Sequence, residues 1–79
     1  MPKVAELDAA NLYIYADDHN PPHFHVRGPD SDANFYIQNC EMYAGELTRK
    51  AMKEVRDWWS APENQKLLED KWKEYNARD

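Results

Sequence analysis

Between Leu12 and Gln38 the chain alternates apolar and polar positions, and from Leu47 onward it repeats every three to four residues instead. Leu12, Ile14 and Ala16 fall on one side of a period-two pattern, and Tyr13 and Tyr15 fall on the other. Aromatic and β-branched residues favour a pleated, half-buried surface, so 12–16 reads as a strand. His23-Phe24-His25-Val26-Arg27 alternates again, with Phe24 and Val26 on a core face and His23, His25 and Arg27 opposite. Ala33, Phe35 and Ile37 repeat the pattern, with Asn34, Tyr36 and Gln38 across from them. Gly28 to Asp32 is dense in turn residues, which predicts a hairpin closed by a loop of about five residues. Lys3 to Leu7 reads as an edge strand and Asp8 to Asn11 as the turn after it. One more short strand is expected around Cys40 to Tyr43.

The helical period begins after Leu47-Thr48 and meets no Pro or Gly until Pro62. Thr48 fits the N-cap, with Leu47 stapled onto the first turn. Ala51, Met52, Val55 and Trp58 or Trp59 follow the i, i+3, i+4, i+7 spacing of a stripe facing the sheet. Arg49, Lys50, Lys53 and Arg56 lie largely on the solvent side. Ser60-Ala61-Pro62-Glu63 predicts a break and a restart, with Ser60 as cap, an early Pro and Glu63 at capping-box spacing. A second helix then aligns Leu67, Leu68, Trp72 and Tyr75. Neighbouring tryptophans sit about 100° apart on a helix, so Trp58 and Trp59 cannot both point inward. The expected place for one of them is the seam between the helices.

Strands followed by helices give an α+β fold. The expected architecture is a small antiparallel sheet of three to five strands, with two C-terminal helices packed on one face. At 79 residues the chain is one domain, 1–79, and its core is thin. Three Trp, five Tyr and two Phe supply much of that core. Ten basic residues against fifteen acidic leave a formal charge of −5. That balance disfavours a general nucleic-acid binder, which needs a basic face to neutralise phosphates. A single cysteine, Cys40, excludes an internal disulfide and fits a reducing cytoplasm. Cys40 reads as a small buried hydrophobe rather than a nucleophile. No apolar run approaches a membrane span and no secretory pattern opens the chain, so the expected location is cytoplasmic.

All three histidines fall between Asp17 and Gly28, in Asp-Asp-His-Asn-Pro-Pro-His-Phe-His-Val-Arg-Gly. Pro21 and Pro22 lack N–H donors and stiffen the approach to the strand. Three chemistries fit. His23 and His25, at i and i+2 on a strand, have Cα atoms about 6.5–7 Å apart on one face. Both imidazoles can then reach one divalent ion such as zinc, with His19 and Asp17 or Asp18 completing the set. Alternatively, His19, His23, His25 and Arg27 can act as acid, base and anion holder on a phosphodiester, as in a small RNA-directed hydrolase. The third reading is a protein-binding surface, because Tyr13, Tyr15, Tyr36 and Arg27 are interface-anchor types. Each has a plainer counterpart. The histidines can bond loop carbonyls left unpaired by the prolines, and Arg27 can pair with Asp17, Asp30 or Asp32.

The stretch Tyr13-Ile14-Tyr15-Ala16-Asp17-Asp18-His19-Asn20-Pro21-Pro22-His23-Phe24-His25-Val26-Arg27 resembles a bacterial domain-of-unknown-function family, number 4160. The shared core is an acidic-His-x-Pro-Pro-His-x-His-Val run after a tyrosine-rich strand. Ala33 to Ile37, Gly45-Glu46-Leu47, and Leu67-Leu68 with Trp72 extend the resemblance over nearly the whole chain. Asp8 to Asn11 departs from it, where members often carry a glycine-containing turn. The resemblance implies a small cytoplasmic prokaryotic protein encoded beside a second small family, number 2442, in a toxin–antitoxin-like pair. It implies His19, His23 and His25 as site residues and brings no catalytic role with them. The leading expectation is therefore an interaction module whose partner is another small protein encoded nearby. A homodimer through the Tyr-rich face or a spare strand edge is a further expectation. The alternative is a small RNA-directed hydrolase or a metal-binding domain.

Overall fold

The computed structural model describes residues 3–16 and 21–76. Five strands precede two helices: β1 (Lys3–Glu6), β2 (Asn11–Tyr13), β3 (His23–Gly28), β4 (Ser31–Tyr36), β5 (Met42–Glu46), α1 (Arg49–Trp59) and α2 (Pro62–Asn76). The strands form one antiparallel sheet in chain order, β1-β2-β3-β4-β5. This is the expected α+β arrangement.

Register gathers the apolar set onto one face. Leu12 lies opposite Val26, Phe24 opposite Phe35, and Val26 opposite Ala33. The Phe24 and Phe35 rings stack with centroids 5.3 Å apart. Leu12, Ile14, Phe24, Val26 and Phe35 are fully buried, each contributing about 1.5–3 kcal/mol by leaving water. Ala51 and Val55 of α1 and Leu68 of α2 close the core. Two polar ties fix α1. Thr48 caps it by accepting from the Ala51 N–H at 3.1 Å, and its own N–H donates to Ser31 Oγ at 3.2 Å. Glu54 Oε1 accepts the Ala9 N–H at 2.8 Å, which joins the helix to the β1–β2 turn.

Several boundaries differ from the sequence expectation. The β3–β4 hairpin closes on Pro29-Asp30 alone, because Gly28 already pairs with Ser31 and Arg27 with Asp32. Ser31 and Asp32 are turn formers in isolation, but here each has a partner that holds it in the strand. Ser31 accepts from Thr48, and Asp32 meets Arg27 across the ladder. The β2 ladder ends at Tyr13, although Ile14 stays buried. The last strand runs from Met42 rather than from Cys40. Cys40 takes the left-handed conformation, φ 57°, and closes the turn with its N–H on the Tyr36 carbonyl at 3.0 Å.

The helix corner also differs. Ser60 ends α1 rather than starting α2, and its hydroxyl donates to the Asp57 carbonyl at 2.7 Å. The Ala61 carbonyl accepts from Asn64 and Gln65, with Pro62 in the first position of α2. Asn64 Nδ2 and Gln65 Nε2 then reach back to the Trp58 and Trp59 carbonyls, at 2.9 and 3.0 Å. Helix ends leave such carbonyls without intrahelical partners, and this corner satisfies two of them. Trp58 and Trp59 are both partly buried, and Trp59 Nε1 donates to the Ile37 carbonyl at 2.9 Å. At the far end of α2, Asn76 Nδ2 donates to the Tyr15 carbonyl at 3.1 Å. Thus α2 passes the end of the sheet where β2 stops and β3 begins. Among the described residues no helix is long and apolar enough to cross a membrane.

Candidate functional site

Strand alternation sends Phe24 and Val26 into the core and His23, His25 and Arg27 to the other face, as the sequence predicts. On that face the aromatic rings form a continuous row. Tyr13 stacks beside Tyr15, with centroids 6.1 Å apart. Tyr15 meets His25 at 4.6 Å, and His25 meets His23 at 5.2 Å. His23 meets Tyr43 at 5.9 Å, and Tyr43 stacks on Tyr36 at 4.4 Å. Offset and edge-on arrangements of this kind suit the ring quadrupoles.

The proline pair builds the start of this row. With no N–H to donate, Pro21 and Pro22 offer only carbonyls. The Pro22 carbonyl accepts from the Ile37 N–H at 3.1 Å. The Pro21 carbonyl lies 2.8 Å from His23 Nδ1. A carbonyl only accepts, so this bond places the proton on Nδ1 and leaves the lone pair of the neutral ring on Nε2. The plainer expectation, histidine bonded to a loop carbonyl, therefore holds for His23.

His23 is not displayed, however. It is 2 % exposed, because Trp72 of α2 lies against it with ring centroids 5.1 Å apart. The placement of α2 at the sheet end adds this cover to that of the His25 and Tyr43 rings. His25 is half-buried and Arg27 is exposed. The Arg27 guanidinium donates from Nε to the Tyr15 hydroxyl at 3.1 Å and from Nη1 to Asp32 Oδ2 at 3.2 Å. Asp32 is thus the carboxylate partner among the described residues, and Asp17, also expected, lies outside them. The pair is well exposed on both sides and contributes at most about 1 kcal/mol. The expected polar row is a graded one: interior at His23, half-covered at His25, open at Arg27.

His19, with Asp17 and Asp18, lies outside the described residues. The structure brings His23 and His25 together and links Arg27 to them through Tyr15. Among the described residues no group of three or more His, Cys, Asp or Glu is arranged to hold a metal ion. An opening of about 820 Å³ sits at the other end of β3, around Pro29-Asp30. Of the described candidate residues only Arg27 lines it, and Asp30, Asp32 and Glu46 make it anionic. Cys40 is buried, and burial pushes its thiol up from the ordinary range, with Arg56 opposing this only in part. Burial therefore disfavours the thiolate that a nucleophile needs.

Two residues of the face escaped the sequence reading. Trp72 is legible only as an inward residue of the second helix. Tyr43 reaches the face through a β-bulge, since the register passes from Asn34–Ala44 to Phe35–Met42 and leaves Tyr43 as the extra residue. Nothing in the local pattern marks that bulge except Gly45, which takes φ +89° two residues later.

No curated protein and no solved structure matches the chain. One family model does, over residues 11–73, a span that runs from the start of β2 into α2 and includes the whole ring row. The chain therefore belongs to the family described as Domain of unknown function (DUF4160).

Proposed function

We propose that this chain is a cytoplasmic protein-interaction module of a bacterial two-gene, toxin–antitoxin-like system, and that it engages its partner through the aromatic-histidine face of the sheet. The observation that carries this reading is the ring row itself. Tyr13, Tyr15, His25 and Tyr36 are half-buried and Tyr43 is 38 % exposed, on the sheet face that α1 leaves uncovered. Tyrosine and arginine anchor interfaces because they offer large rigid area with a polar tip. The partner fitting the family resemblance is a small protein encoded nearby. A homodimer is the competing occupant. Co-expression with the neighbouring open reading frame tests the proposal. The two chains should co-elute on a sizing column, and Tyr36→Ala/Tyr43→Ala should weaken the complex about tenfold or more. A chain that elutes alone counts against it.

A second reading keeps chemistry on the same face. Arg27 bonds the Tyr15 hydroxyl and Tyr15 packs on His25, which groups a cation, a phenol and an imidazole. With His19 and His23 this set would serve an RNA-directed hydrolase, or would hold a divalent ion such as zinc. A ¹H–¹⁵N titration with Zn²⁺ followed on the histidine rings tests the ion. Unmoved His23 and His25 signals at stoichiometric metal would remove it.

A further inference from the structure

The solvent side of α1 carries a feature that the histidine face does not use. An open groove of about 750 Å³ runs along it, between the strand-to-helix connection and the helix. Leu47 and Met52, both packed against the core, supply its apolar part, and Arg49, Lys53 and Arg56 supply its rim. Lys53 is paired with Asp57 at 2.7 Å. Arg49 and Arg56 make no ion pair among the described residues; Arg56 Nε instead rests 3.2 Å from Met52 Sδ.

The charge is out of keeping with the rest of the molecule. Four basic and two acidic residues give α1 a charge of +2, while the chain as a whole is at −5. The first turn of α1 carries Arg49 and Lys50 and no acid, although the helix macrodipole disfavours cations there. Two guanidiniums held without carboxylates beside an apolar strip are complementary to a carboxylate-bearing ligand with an apolar anchor. Guanidinium forks receive carboxylates bidentately.

We infer that this groove docks a short acidic peptide segment of another protein, with an aliphatic or aromatic residue seated on Leu47 and Met52 and flanking carboxylates on Arg49 and Arg56. A peptide fits better than a nucleic acid. The middle of the groove is apolar, and the surrounding −5 chain repels a phosphate backbone that extends past it. The inference stands apart from the proposed role of the ring row, since α1 covers the opposite face of the sheet.

Selection of a random dodecapeptide phage library on the full chain tests it. Enriched peptides should carry Asp or Glu around Leu, Phe or Met, and should bind more weakly as salt rises. Arg49→Glu/Arg56→Glu should reduce their affinity about tenfold or more, and Arg49→Glu alone should weaken binding while melting no lower than the parent chain. Tyr36→Ala/Tyr43→Ala should leave their affinity unchanged. The inference is overturned by failure to enrich, by enrichment of neutral or basic peptides, or by equal binding to the double-arginine variant. It is also overturned if oligouridine RNA occupies the groove in place of peptides, or if the arginine change abolishes only self-association on a sizing column.

Discussion

His23 and His25 are two residues apart on one strand, yet the structure gives them different work. His23 is enclosed by Trp72, His25 and Tyr43 and bonded to Pro21. Truncating it removes buried ring area and one interior hydrogen bond, so His23→Ala should destabilise the fold by about 2–3 kcal/mol. His25→Ala, at a half-exposed position, should stay within about 1 kcal/mol. Urea denaturation of both variants reads the difference, and equal losses would contradict the assigned burial. Cys40 gives a pH-dependent counterpart. Burial holds its thiol protonated above the ordinary range. Its contribution to stability is complete below that range and is lost as pH rises through it, so the dependence lies on the alkaline side. Cys40→Ala should flatten the alkaline decline, and the native thiol should alkylate far more slowly than the unfolded one near pH 8. At this scale the inward positions Phe24, Val26, Ala33 and Phe35 were legible, because period two alone decides them. The burial of His23 was not, because it depends on where a helix far along the chain comes to rest.

Elements are governed here by their ends. The Thr48 cap serves the Ala51 N–H, so Thr48→Ala should cost about 1 kcal/mol in thermal or chemical unfolding. Arg49 opposes the dipole at the same end of α1. Arg49→Glu should therefore stabilise the fold by about 0.3–1 kcal/mol while removing one side of the peptide groove. Gain of stability with loss of binding is hard to explain if Arg49 serves only folding. In β5 the constraint is backbone geometry. Gly45 holds φ +89°, and a Cβ there would collide with the Asp32 carbonyl. Gly45→Ala should accordingly cost about 1–3 kcal/mol and disturb the bulge that turns Tyr43 onto the ring row. A melting curve matching the parent's would reject that account. Element order and type were readable from the switch from period two to period three-to-four. Element ends were less so. Ser31 and Asp32 resemble loop residues until Thr48 and Arg27 are seen to hold them, and Ser60 resembles an N-cap until its hydroxyl is found on Asp57.

The molecule as a whole presents two surfaces separated by its core. One is the ring row on the open face of the sheet, graded from the enclosed His23 to the exposed Arg27. The other is the cationic groove on the outside of α1. The sequence reading located the first surface through the proline-histidine stretch and set Tyr13, Tyr15 and Tyr36 beside it, but took His23 as displayed. In the folded chain tyrosines dominate it, and Trp72 takes His23 out of contact with solvent. The second surface was visible only as the solvent side of a helix, because an apolar strip beside arginines without an ion pair among the described residues is a property of packing rather than of spacing. The ring row is the proposed place for a partner to bind. The most direct test of that proposal is a ¹H–¹⁵N and aromatic ¹H–¹³C shift map recorded as the neighbouring gene's product is added. Tyr15, His25, Tyr36 and Tyr43 should shift or broaden together. Changes confined to Arg49–Arg56, or no change at all, would contradict it.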